Sequence, residues 1–149
     1  MTNNQGQRTI NLTYHKMESQ ERNLLIGSLA ECLKEDNNLL FAYLYGSFKD
    51  YDKSVGFRDI DIALYIRGIG DVLDYALGIS AALSSKYNLP VDCIPLDTTT
   101  PLFLRYGVFK DGIVLFCKDE KLMTDLMEST VNDALDFGPL REEAMKELV

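Results

Sequence analysis

A single histidine, His15, stands among the 149 residues, so neither a histidine-based catalytic triad nor a zinc cluster can be assembled. His15 itself is expected to be an exposed residue in a mobile arm. Cysteine is scarce as well. Cys32, Cys93 and Cys117 are too few and too scattered for a disulfide framework or a Cys-x-x-Cys metal site, and they read as buried reduced thiols. No apolar run approaches the ~20 residues that a membrane-spanning helix needs, and the polar start MTNNQGQRTIN lacks the apolar centre of a signal peptide, so the expected compartment is the cytoplasm. Positive charge is also in deficit. With 15 Lys+Arg against 23 Asp+Glu and a formal charge of −8, extended nucleic-acid binding is not expected, because such a field does not attract phosphate backbones over a broad surface. One nucleotide at one site remains compatible with it, since metal ions cancel acidic side chains locally. The balance also suits a basic protein partner.

What is present suffices for one folded unit. Hydrophobic residues at 46% and charged residues at 26% match globular averages, and a chain of this length buries a core without covalent staples. The expected organisation is an N-terminal arm over 1–17, a domain over 18–118, and a helical extension over 119–149 packed on the same domain. In the arm, Ile10, Leu12 and Tyr14 alternate, which fits either a loose segment or an added edge strand. A helix is expected from Ser19 as N-cap to about 36, with Leu25, Ile26, Leu29, Ala30 and Leu33 on one face. Residues 39–45 form an almost wholly apolar strand that stops at Gly46-Ser47. Strands are further expected at 58–66, at 91–96, where Pro95 argues for an edge or a bend, and at 113–117. Helices are expected at 69–87, weakened by Gly78 and closed by Asn88-Leu89-Pro90, and at 101–109, followed by a tight turn at 110–112. Residues 119–136 make an amphipathic helix with Leu122, Met123, Leu126, Met127, Val131 and Leu135 on its stripe, and a last short helix is expected over 140–148.

The chemically informative stretch is Leu44-Tyr45-Gly46-Ser47, eleven residues, then Asp59-Ile60-Asp61-Ile62-Ala63-Leu64. Strand side chains alternate, so Asp59 and Asp61 leave one face with Cα atoms roughly 6.5–7 Å apart, while Ile60, Ile62 and Leu64 enter the core. Two carboxylates about 6 Å apart repel by nearly 3 kcal/mol at an effective dielectric of about 20, a cost that a divalent cation removes. Hard cations such as Mg²⁺ take one or two carboxylates plus phosphate and water oxygens. Gly46-Ser47, after a buried strand, supplies backbone N–H groups, a hydroxyl and close approach, which is what phosphate oxygens need. Asp92, an acid among apolar neighbours in Leu89-Pro90-Val91-Asp92-Cys93-Ile94, reaches the same cluster if its strand lies beside that of Asp59 and Asp61. It would serve there as a further metal ligand or as the base for an attacking hydroxyl. Lys49, Lys53, Arg58 and Arg105 are candidate phosphate partners.

This order of strand, Gly-Ser, strand with Asp-x-Asp, helix, and strand with one Asp resembles the polymerase-beta-like nucleotidyltransferase superfamily, specifically its minimal nucleotidyltransferase (MNT) branch. The resemblance spans about residues 22–118, including 105–116 as the closing helix-turn-strand. It implies an α/β (α+β) fold with a small mixed sheet of about four to five strands and helices packed mainly on one face. It further implies Gly46 and Ser47 on the triphosphate, Asp59, Asp61 and Asp92 as catalytic and metal-binding residues, Mg²⁺ or Mn²⁺ as cofactor, and ATP as substrate; Lys49 and Arg58 are the basic residues expected beside the nucleotide from their position alone. The chain departs from the family pattern in a spacer one residue longer than usual, in Phe48-Lys49-Asp50-Tyr51 where small residues are usual, and in Arg58 before Asp59. Members of the branch are often antitoxins that attach AMP to a HEPN-type toxin. The toxin's own His-x-Tyr signature is missing, because Met17 stands two residues after His15. The expected function is therefore transfer of AMP to an acceptor such as a HEPN protein. The alternative is a catalytically silent antitoxin or regulatory module acting by surface contact, and self-association of the chain is compatible with either.

Overall fold

The computed structural model describes residues 14–50 and 56–136. In chain order these form α1 (Ser19–Lys34), β1 (Leu39–Tyr45), β2 (Ile60–Ile66), α2 (Val72–Tyr87), β3 (Val91–Pro95), α3 (Leu102–Asp111), β4 (Ile113–Cys117) and α4 (Glu120–Leu135). The strands make one sheet in the order β3-β2-β1-β4. β1 pairs antiparallel with both β2 and β4, and β2 pairs parallel with β3, so the sheet is mixed as expected. Pro95 ends β3 on the sheet's margin, where its missing N–H breaks no ladder.

Strand alternation divides the core between the two faces. Ile60, Ile62 and Leu64 are fully buried on the face covered by α1 and α2, where they pack with Leu29, Leu33, Ala76 and Leu83 in the larger cluster. The opposite face carries Phe41, Tyr43, Ala63 and Leu96 in a smaller cluster closed by Val108 of α3 and Leu126 of α4. Asp61 shares this second face with Ala63 and Tyr65. α3 and α4 cover only part of it, and the end bearing Asp61 is left open.

The outer rim of β3 is covered by a helix rather than a strand. Ser80 and Ser84, one turn apart on α2, accept from the backbone N–H groups of Cys93 (2.8 Å) and Val91 (2.9 Å), and Ser84 also donates to the Val91 carbonyl. Edge groups that would otherwise invite strand addition are thereby used, and β3 is held on both sides.

Several local expectations change. α1 is preceded by Glu18 as its N-cap, with no side-chain cap bond, whereas Ser19 already lies inside the helix. α2 begins at Val72 because the Asp71 carboxylate accepts from the Asp74 N–H at 3.0 Å, so 69–71 are not helical; its end at left-handed Asn88 (φ 54°) agrees with the expected stop. Lys110 and Asp111 belong to α3, which closes when the Gly112 N–H donates to Val108 O at 2.8 Å. On α4, Leu126 is buried, but Val131 and Leu135 are 39% and 65% exposed, so the later stripe positions face outward while the second half of the helix is held by buried Thr130 and by Asp133. The helix expected at 140–148 and most of the 1–17 arm lie outside the described residues.

His15 is not an exposed residue of a free arm. Its backbone N–H donates to the Phe57 carbonyl at 2.7 Å and its carbonyl accepts from the Phe57 N–H at 2.9 Å, and its ring lies 5.5 Å from that of Phe57. Gly56 makes this approach possible. Its φ is +90°, and a Cβ there would sit 2.6 Å from the His15 carbonyl oxygen.

Arg105 holds structure rather than phosphate. It is 4% exposed and donates to the carbonyls of Thr98 (3.0 Å) and Thr100 (3.2 Å) and to the Asp133 carboxylate (3.1 Å), tying the loop after β3 to α4. Arg105→Ala is expected to cost roughly 3 kcal/mol, because it strands buried acceptors and a carboxylate. Asp133→Ala, at a half-exposed partner, is expected to cost under about 1 kcal/mol. Urea unfolding of the two variants checks the ratio; equal costs would mean that Arg105 acts only through the ion pair.

Candidate functional site

β1 ends where the chain must turn over the sheet, and Gly46 makes the turn with φ +81°. Glycine is required here twice over, since L side chains rarely adopt that φ and a Cβ would overlap the carboxylate of Asp61. The turn and the acid are therefore in direct apposition. Beyond the turn, Phe48 is fully buried, edge-on to Phe57 at 4.6 Å, so the bulky residue that replaces a small one serves as an anchor. Arg22 of α1 lies over the Phe48 ring at 5.4 Å and donates to the carbonyls of Phe48 (3.2 Å) and Lys49 (2.6 Å).

On β2, Asp61 lies opposite Tyr45 on one side and Asp92 on the other. The neighbouring strands expected from the sequence are thus in direct register at the two acids. Burial, followed by the charges of Asp59 and then Asp92, raises the Asp61 carboxyl to a pKa of about 6 from its ordinary 3.8, with Arg58 pulling the other way. Tyr45 is pushed up by burial and by Asp61 and Asp92, so its phenol stays protonated beside the acids. Cys93 is likewise driven up to about 12, chiefly by burial, which keeps the thiol inert.

A cleft of about 300 Å³ opens here, lined by Tyr14, Ser47, Arg58, Asp59 and Asp61. Of the residues expected from sequence, Ser47, Arg58, Asp59 and Asp61 meet on its wall and Gly46 backs Asp61. Asp92 is solvent-exposed and stands beside Asp61 rather than on the cleft lining. Lys49 is turned elsewhere, its ammonium held by the Asp111 carbonyl (2.5 Å) and the Asp50 carboxylate (2.8 Å). Lys53 lies outside the described residues. Sequence reasoning did not find Tyr14, whose alternation with Ile10 and Leu12 was the only signal, nor the bracing role of Arg22, for which no local pattern exists.

The oxygen-only donor set and the mutual repulsion recorded at Asp61 fit a hard divalent cation. Among the described residues, however, no group of three or more His, Cys, Asp and Glu side chains is arranged to hold a metal by itself. Nor is any helix among them long and apolar enough to cross a membrane.

Comparison with known proteins bears on the fold and the family. No curated protein matches the sequence. The fold is shared with solved toxin–antitoxin structures. One is a tri-AMPylated Shewanella oneidensis HEPN toxin in complex with MNT antitoxin, at 18% identity and a TM-score of 0.62, covering 85% of this chain and 98% of that one. A second is a toxin–antitoxin with AMP-PNP, at 16% identity and a TM-score of 0.59, covering 88% and 98%. A third is the toxin–antitoxin MntA–HepT, at 17% identity and a TM-score of 0.57, with the same coverage. The family model described as polymerase beta, nucleotidyltransferase matches residues 27–121, which include Gly46, Ser47, Asp59, Asp61 and Asp92. The chain belongs to the polymerase beta nucleotidyltransferase family.

Proposed function

We propose that this chain is an MNT-type antitoxin that transfers AMP from ATP to a HEPN-type toxin in the cytoplasm. The observation that carries the reading is the register of Asp61 with Asp92 beside the Gly46 turn, which concentrates negative charge where a triphosphate and its counter-ion would enter. The neighbours in fold lend further support, since they include an AMPylated toxin bound to its antitoxin and a complex with AMP-PNP. A formal charge of −8 suits a basic partner.

In this reading Gly46 and Ser47 present backbone N–H groups and a hydroxyl to phosphate oxygens, and Arg58, exposed on the rim, pairs with them in the manner of guanidinium groups. Asp59 and Asp61, with Asp92, would hold Mg²⁺ or Mn²⁺, which when bound neutralises the triphosphate and the departing pyrophosphate. Asp92, open to solvent next to Asp61, accepts the proton of the acceptor hydroxyl. That oxygen bonds to the α-phosphorus in line as the bond to the β-phosphate oxygen breaks and pyrophosphate leaves. Lys49 contributes indirectly, by fixing the loop to Asp111.

The test is incorporation of label from α-labelled ATP into a purified HEPN-type toxin, with wild type, Asp59→Asn and Asp61→Asn compared. Label only with wild type is expected. Neutralisation of the toxin that persists in both variants would instead identify surface contact as the mechanism.

A further inference from the structure

The cleft has one wall that the transfer chemistry does not use. Tyr14 lines it together with Ser47, Arg58, Asp59 and Asp61, yet it carries no charge and lies 45 residues before Asp59 in the chain. The residue is 51% exposed, so burial in the core does not explain its position. What fixes it is the adjacent residue. The paired backbone hydrogen bonds between His15 and Phe57 tie the segment to the residue just before Arg58-Asp59, and Phe57 is in turn locked against buried Phe48. The close approach at Gly56 admits that segment and no bulkier backbone there. A half-exposed aromatic residue is thus held by backbone contacts at the mouth of a site whose other described lining residues are polar or charged.

We infer that Tyr14 is the nucleobase platform of the cleft, with the base of the incoming nucleotide stacking on its ring while Gly46, Ser47 and the carboxylates engage the triphosphate end. Among the described residues that line the cleft, Tyr14 carries the only aromatic ring, and aromatic rings stack on bases with little dependence on base identity. The inference rests on the proposed nucleotidyltransferase reading. It adds that recognition of the base is supplied by the N-terminal segment and is separable from recognition of phosphate.

Equilibrium titration of the full chain with ATP, and separately with inorganic tripolyphosphate, both in Mg²⁺, separates the two. Tyr14→Ala is expected to weaken ATP binding by roughly tenfold or more while leaving tripolyphosphate binding within about twofold, and Tyr14→Phe, which keeps the ring, is expected to restore ATP affinity. Because the tether to Phe57 is made by His15 backbone atoms, the truncation leaves it in place, and an unchanged melting temperature verifies this. Equal weakening of ATP and tripolyphosphate in Tyr14→Ala would mean that the ring only shapes the phosphate site, and ATP affinity equal to wild type would mean that it does not touch nucleotide; either result overturns the inference while sparing the transferase reading. A wild-type chain that binds neither ligand would overturn both.

Discussion

Changing Asp61 to asparagine is expected to abolish AMP transfer and, at the same time, to yield a protein that melts higher than wild type at pH 8. The carboxyl has an ordinary pKa of 3.8 in the unfolded chain and about 6 in the folded one, with burial as the largest cause and the charges of Asp59 and Asp92 next. A group whose folded pKa is raised binds its proton more tightly when native, so stability falls as pH rises from about 4 through about 6 and stays low above that. At 1.36 kcal/mol per pKa unit the difference amounts to roughly 3 kcal/mol, which solvent screening at this half-open position reduces to about 1–2 kcal/mol. In a domain of this size that corresponds to a melting temperature about 2–6 °C higher for Asp61→Asn at pH 8, and to little difference near pH 4. Transfer is expected to fall ~10³-fold or more, because the negative charge that would hold the phosphate's counter-ion has gone. Thermal scans at the two pH values and a label-transfer assay check both halves. A variant that melts below wild type at pH 8 would show that the carboxylate is a structural ligand rather than a strained functional group.

Gly46→Ala is expected to fold and to be inactive. A left-handed φ costs an alanine about 1 kcal/mol or slightly more, equivalent to a few degrees of melting temperature. The greater harm is local. The new methyl would occupy the space of the Asp61 carboxylate, with the Asp61 Cγ and Cβ at only 3.1 and 3.3 Å, so the acid must swing away from Asp59 and Asp92. Displacement of a reacting group by about 1 Å can cost on the order of 10²-fold in rate, and that is the expected minimum loss. Gly78→Ala is the matched control. A Cβ there meets nothing within 4 Å inside α2, so a gain of roughly 0.5–1 kcal/mol with unchanged transfer is expected. If Gly46→Ala retained full activity, the apposition of turn and acid would have no catalytic meaning.

The parts of the site legible in sequence were those governed by short-range periodicity. The alternation Ile60-Asp61-Ile62 dictates that Asp61 leaves the face opposite Ile60 and Ile62, and the continuous apolar run 39–45 marks a strand buried on both faces; Asp59, expected inside a strand from 58, instead precedes β2, which begins at Ile60. The adjacency of Asp92 to Asp61 depended on strand order, which periodicity leaves open. Arg105 and Lys49 read alike as basic residues near a phosphate motif, yet one is buried and donates to backbone carbonyls and a carboxylate, and the other is pinned to a helix end. Such pairings arise between segments far apart in the chain, and no local pattern encodes them. The same holds for Tyr14 and His15: the alternation of Ile10, Leu12 and Tyr14 names no partner, and it is the bridge of His15 to Phe57 that brings Tyr14 to the cleft. Val131 and Leu135 mark the opposite failure, since the apolar periodicity continues onto exposed positions of α4 while its contacts there are made by buried Thr130 and by Asp133 to Arg105.

Because Asp61 hangs from a central strand bonded on both flanks, while the described residues of the connection from Gly46 to Phe57 are held by Arg22, by the contact of Lys49 with Asp111, by buried Phe48 and by the His15 bridge, the two halves of the site answer to different constraints. Insertions or new side chains in that connection would retune the grip on substrate and leave the acidic pair untouched. The extra residue in this chain's spacer is what such freedom permits: the scaffold preserves the reaction, and the crossing segment can drift toward new ligands.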